Sequence, residues 1–140
     1  MTRGVSRASR SATALACAAA VLFLACGEDA TQPALVPGDL TVRVVSPNGL
    51  EGAAVLQTIQ EGIVDITSEV GQAHHWRAGD VSRIVVLLDE PGEIRFTLSV
   101  ADLNRPPQLR VVEVADPDNR LRSLLVGYVV ESEPVVGAEP

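Results

Sequence analysis

The stretch Arg83-Ile84-Val85-Val86-Leu87-Leu88-Asp89-Glu90-Pro91-Gly92-Glu93-Ile94-Arg95-Phe96-Thr97-Leu98-Ser99-Val100 decides how this chain is read. Residues 83 to 88 form a continuous run of β-branched and aliphatic side chains, the pattern of a strand buried on both faces or of a central sandwich strand. Residues 93 to 100 alternate. Ile94, Phe96, Leu98 and Val100 point one way, and Glu93, Arg95, Thr97 and Ser99 point the other. Side chains alternate across a strand, so one face is apolar and the other is wet. Between the two runs, Asp89-Glu90-Pro91-Gly92 is the sharpest turn signal in the chain. Proline pre-sets φ for one central turn position and glycine tolerates φ > 0 at the next. Strand, turn and strand predict a hairpin here.

Working outward, the same grammar repeats. Leu40-Thr41-Val42-Arg43-Val44-Val45 alternates, and Ser46-Pro47-Asn48-Gly49 is a turn. Ala53 to Ile59 and Gly62 to Thr67 are further strands. Ala, Leu, Gln and Glu between 53 and 61 also suit a helix, but Gly52 and Gly62 bracket too short a segment. Residues 68 to 80 form a polar connection containing His74-His75-Trp76-Arg77. After the break at Asn104-Arg105-Pro106-Pro107, Leu109 to Val114 is a strand and Asp116-Pro117-Asp118-Asn119 a turn. Leu124 to Glu131 is the last strand, and 132 to 140 is a frayed acidic tail. About seven short strands with regular turns predict an all-β chain, a single small antiparallel β-sandwich over residues 40 to 131.

Composition narrows the function. The chain has 140 residues, net charge -7, eleven arginines and no lysine. Such an acidic chain lacks the electrostatic footprint for nucleic acid, and charge alone does not hold it to an anionic membrane. The two cysteines, Cys17 and Cys26, both lie in or beside the N-terminal apolar run. The domain itself therefore has no disulfide framework.

The N-terminus reads as an export signal. Arg3, Arg7 and Arg10 precede an uncharged run over residues 12 to 25, too short for a comfortable membrane span of about 20 residues. Removing those three arginines takes the net charge from -7 to -10. The run ends Phe23-Leu24-Ala25-Cys26, which resembles the lipobox of bacterial lipoprotein precursors, with Phe23 where the family usually has leucine. The resemblance implies cleavage of a signal peptide (residues 1 to 25) between Ala25 and Cys26, and diacylglycerol on the Cys26 sulfur. It also implies, because Gly27 stands where aspartate marks retention, an outer-membrane address in the bacterial envelope. Multiple acyl chains anchor stably where one chain does not. The rival is an ordinary secretory signal cut near Ala18-Ala19-Ala20, which leaves Val21-Leu22-Phe23-Leu24 exposed. Residues 26 to 39 then form the lipidated end and a flexible linker, whose part from Gly27 on has a reach of roughly 20 Å.

The span 40 to 131 also faintly resembles the cohesin-like and immunoglobulin-like modules of bacterial surface proteins. The likeness rests on the Leu40-Thr41-Val42 opening strand, the Phe96-Thr97-Leu98 strand and the late Val114-Ala115-Asp116 turn. It implies a domain that binds a partner.

Candidate chemistry is sparse. His74 and His75 are the only histidines, and neighbours on an extended chain face opposite ways, so one metal cannot easily use both. Asp80 and Glu69 are the nearest additional ligands. Asp116, Asp118 and Asn119 cluster oxygens as calcium prefers, but the EF-hand pattern is missing and a proline turn explains them equally. No Gly-x-Ser-x-Gly elbow occurs, and no pair of carboxylates stands out for acid–base work. The expected chain needs no cofactor and is not an enzyme. His74, His75 and Trp76 are the candidates for contacting a protein or glycan partner. The alternative is a small secreted hydrolase or carbohydrate-binding accessory that uses the same segment.

Overall fold

The structure is a computed structural model and describes residues 33–136. It contains eight strands: β1 (Gly38–Val45), β2 (Glu51–Thr58), β3 (Ile63–Thr67), β4 (Gly71–Ala78), β5 (Val81–Gly92), β6 (Ile94–Val100), β7 (Arg110–Ala115) and β8 (Val129–Pro134). They form two four-stranded sheets, ordered β3-β6-β1-β8 and β4-β5-β2-β7. All neighbouring strands are antiparallel. The expected all-β sandwich is therefore what the chain adopts, with one strand more than the sequence signalled.

The alternating faces meet between the sheets. Leu40, Val42 and Val44 of β1 and Ile94, Phe96, Leu98 and Val100 of β6 are buried from one side. Ala54 and Leu56 of β2, Ile84 and Val86 of β5 and Val114 of β7 are buried from the other. These twelve residues form one cluster. Phe96 is the only aromatic among them, so the core is close-packed aliphatic, as the composition required.

The expected hairpin at residues 83 to 100 does not form. β5 belongs to one sheet and β6 to the other. The turn residues go into an irregularity instead. Ala53 faces Leu87 and Glu51 faces Gly92, so two steps along β2 are matched by five along β5. Leu88 to Pro91 leave the ladder to β2, and such a bulge bends the strand. Ile94 then starts β6 opposite Val44. Both strands still bury their apolar faces, but from opposite sides of the core.

The true hairpin lies where a connection was expected. Residues 71 to 78 are a strand, β4, paired with β5 in unbroken register from Gly71–Leu88 to Ala78–Val81. Its two-residue loop is Gly79-Asp80, with Gly79 at φ 61°. Glycine first in a two-residue loop is the type II′ signature. The polar residues of β4 hid it, because an edge strand needs few apolar side chains.

Other boundaries differ. The last strand begins at Val129, not Leu124. Leu124 and Val126 are 73% and 85% exposed, and Gly127 has φ 90°. Their alternation is real but serves no sheet. Residues 132 to 134, expected in a frayed tail, complete β8 against β1, and Val135 N–H donates to Asp39 O at 2.9 Å. At the other end β1 starts at Gly38. Val36, expected in the linker, is fastened by Leu103 N–H to its carbonyl at 2.6 Å and by its own N–H to Asp102 Oδ1 at 3.2 Å.

Candidate functional site

Pairing across β4, β5, β2 and β7 sets the outward face of their sheet in rows. Trp76 faces Arg83, which faces Gln57, which faces Arg110. One row along, His74 faces Val85, then Val55, then Glu113. Trp76 is 43% exposed and His74 is exposed. Two neighbouring rows of an open sheet thus carry an indole, an imidazole and two guanidinium groups beside short aliphatic side chains. Such mixed surfaces offer stacking area together with hydrogen bonds.

His75 points the opposite way, toward the core edge, and is half-buried. Its Nε2 is buried and has no hydrogen-bond partner among the described residues. The two imidazoles therefore face opposite sides, as strand geometry predicts. Among the described residues no three His, Cys, Asp or Glu side chains gather as a metal site. Asp80 lies in the hairpin loop and Glu69 in the β3–β4 connection.

The outward face of the other sheet is different. Arg43 pairs with Glu131 and, at 3.3 Å, with Glu93, which also meets Arg95 at 3.4 Å. These exposed charges neutralise one another on a solvated surface. Beside them an open cleft of about 740 Å³ runs between the β3–β4 connection and the β5 bulge, lined by Glu69, Val70, Leu88, Glu90, Glu93 and Arg95 among others.

Asp116, Asp118 and Asn119 form a turn. Asp116 Oδ1 accepts from the N–H groups of Asp118 at 3.0 Å and Arg120 at 2.9 Å. Asn119 N–H donates to Asp116 O at 2.9 Å, and Asn119 sits at φ 65°. The Arg120 N–H is the main reason the Asp116 carboxyl lies below the usual carboxylate range. The Asp118 N–H and the charges of Arg122 and Arg120 act in the same sense, and partial desolvation opposes them. Asp118 lies 3.4 Å from the Arg120 guanidinium. The carboxylate most central to the calcium reading is thus committed to backbone amides.

One cluster had no signal in the sequence. Glu51, at the start of β2, is buried. Its carboxylate accepts from Ser46 Oγ at 2.7 Å, from Arg122 Nε at 3.1 Å and from the Tyr128 hydroxyl. Asn48 Nδ2 in turn donates to the Tyr128 hydroxyl at 3.0 Å. The cluster fastens the β1–β2 turn and the β7–β8 connection to the same end of the sandwich. Arg122 and Tyr128 are too distant in sequence to leave a local pattern, and a glutamate opening a strand ordinarily signals surface.

Ala25 and Cys26 lie outside the described residues. The described chain is a small antiparallel β-sandwich with one ion-paired face and one mixed aromatic face. No family model matches the chain, and neither a curated protein nor a solved structure matches it.

Proposed function

We propose that this chain is a bacterial envelope lipoprotein, anchored through acylated Cys26, whose β-sandwich is a non-catalytic module that binds a partner. The observation that carries the binding reading is the shared outward face of Trp76 and His74 next to Arg83 and Gln57. An exposed tryptophan on an outward sheet face, flanked by hydrogen-bonding side chains, suits recognition better than core packing. The lipobox-like Phe23-Leu24-Ala25-Cys26 supports the anchor. The β-sandwich supplies a rigid support on which such a face can be held.

The anchor is tested by intact-mass measurement of the mature protein from its native membrane, beside Cys26→Ser. The expected result is cleavage before Cys26 with an added acyl mass, both lost in the variant. Normal processing of Cys26→Ser overturns the anchor. The binding face is tested by pull-down from envelope extracts with the intact protein and with Trp76→Ala. The Trp76 variant is expected to keep its fold and lose the partner. Turnover of a substrate that depends on the same residues would instead favour the hydrolase alternative.

A further inference from the structure

The two sheets have four edges, and three are blocked. β3 is short and its register slips at Val64. β8 carries Glu131, Glu133 and Pro134. β7 slips register at Val112 and lies between Pro107 and Pro117. Short length, bulges, charge and proline are the usual means of closing a sheet edge to further strands. β4 has the least of them: its one charge, Arg77, is tied to Glu61 at 2.7 Å. Gly71-Gln72-Ala73-His74-His75-Trp76-Arg77-Ala78 pairs with β5 without a register shift, and it contains no proline and no carboxylate in a chain of net charge -7.

The register shows which backbone groups of β4 are free among the described residues. In a two-residue hairpin the closing pair, here Ala78–Val81, exchanges hydrogen bonds, and such pairs recur every second residue. Trp76, His74 and Gln72 therefore bond to β5. The Asp89 N–H to Val70 O bond at 3.2 Å falls on the same parity. Ala73, His75 and Arg77 turn their N–H and C=O groups to the open edge.

We infer that β4 pairs antiparallel with β4 of a second copy of this chain, about a two-fold axis at His75. The spacing of the free groups is self-complementary. His75 meets the partner's His75, and Ala73 meets the partner's Arg77, so the outward N–H and C=O groups of these three residues gain bonds. On the outward face Trp76 comes opposite the partner's His74, in a close non-hydrogen-bonded pair where aromatic contacts are strongest. β4 itself has no carboxylate, and Glu61, which lies beside this edge, is neutralised by Arg77 at 2.7 Å, so the acidity of the chain does not oppose this contact. Isologous pairing of this kind closes on itself and leaves no open filament. The inference goes beyond the proposed function and is independent of the anchor. It joins the two mixed faces into one eight-stranded surface with both tryptophans at its centre.

The test is the mass of the intact protein, extracted in mild detergent and measured by size-exclusion chromatography with light scattering corrected for detergent. Twice the monomer mass is expected. Ala73→Pro removes an N–H from the open edge only, a position where a strand tolerates proline, and is expected to give the monomer mass with an unchanged far-ultraviolet spectrum. His74→Glu, on the exposed face, puts a carboxylate against the partner's Trp76 and provides the same reading if the proline variant does not fold. A monomeric wild-type protein at the highest attainable concentration overturns the inference. So does a dimer that survives in both folded variants, since it must then use another surface.

Discussion

Glu51 and Arg122 stand 71 positions apart in sequence, yet the Arg122 guanidinium lies 3.0 Å from the Glu51 carboxylate at one end of the sandwich. The Glu51 side chain is 2% exposed and that of Arg122 is 26%. A carboxylate taken that far out of water is tolerated only when its oxygens are bonded. Here Ser46, Tyr128 and Arg122 provide the bonds. The pair is the tie between the first turn of the domain and the long connection before its last strand.

Removing one partner should cost more than removing both. Glu51→Ala is expected to destabilise the domain by about 3 kcal/mol, because it strands Arg122 and Tyr128 in a partly desolvated pocket. Arg122→Met should also destabilise, leaving Glu51 without its counter-charge. The double variant Glu51→Leu with Arg122→Met should be less destabilised than the sum of the singles. Chemical denaturation in a double-mutant cycle measures that coupling. Strict additivity would show that the pair is incidental.

Acid should loosen the 116–120 turn. The folded Asp116 carboxyl titrates below its unfolded value. Its stabilisation is thus fully present above the unfolded value, at about pH 4, and is lost as pH falls through the folded value. The turn amides of Asp118 and Arg120 should exchange faster with solvent below that point. Asp116→Asn should flatten this part of the acid-unfolding curve, read as thermal midpoint against pH. An unchanged curve would assign the acid sensitivity elsewhere.

Gly71 is required by space. A Cβ there would lie 2.0 Å from Leu87 O and 2.8 Å from Leu88 Cα, both backbone atoms of the paired strand. Neither atom can rotate away, so Gly71→Ala must push β4 off β5. The expected loss is about 2 kcal/mol, in line with other overpacking changes. Hydrogen exchange should localise the damage to the start of β4.

Trp76 should contribute little to stability. It is 43% exposed and its cross-strand neighbour is Arg83. Trp76→Ala should change the unfolding free energy of the isolated copy by less than about 1 kcal/mol, as surface substitutions do. Phe96→Ala, in contrast, should cost about 4 kcal/mol, since Phe96 is 2% exposed at the centre of the core. Comparable losses for the two would mean that the indole is a packing element.

The alternation at Leu40–Val44 and Ile94–Val100 was legible in the sequence because it is local. Successive side chains of a strand face opposite ways whatever the strand pairs with, so the inward set follows from the residues alone. The same alternation located the face of the sandwich but not its neighbours. A hairpin and a crossing between sheets use identical strands, and Pro91-Gly92 suits a turn and a bulge equally. Only the closing of Gly92 onto Glu51 decided between them. The edge strand β4 was hidden for the converse reason: its stability comes from the backbone ladder to β5, which sequence periodicity does not register. The buried charge of Glu51 was decided last, by Ser46, Arg122 and Tyr128 arriving from two different connections. Local stereochemistry writes strands and faces into the chain. Sheet membership, edges and buried polar partners depend on contacts between distant segments, and those exist only once the two sheets have closed over the core.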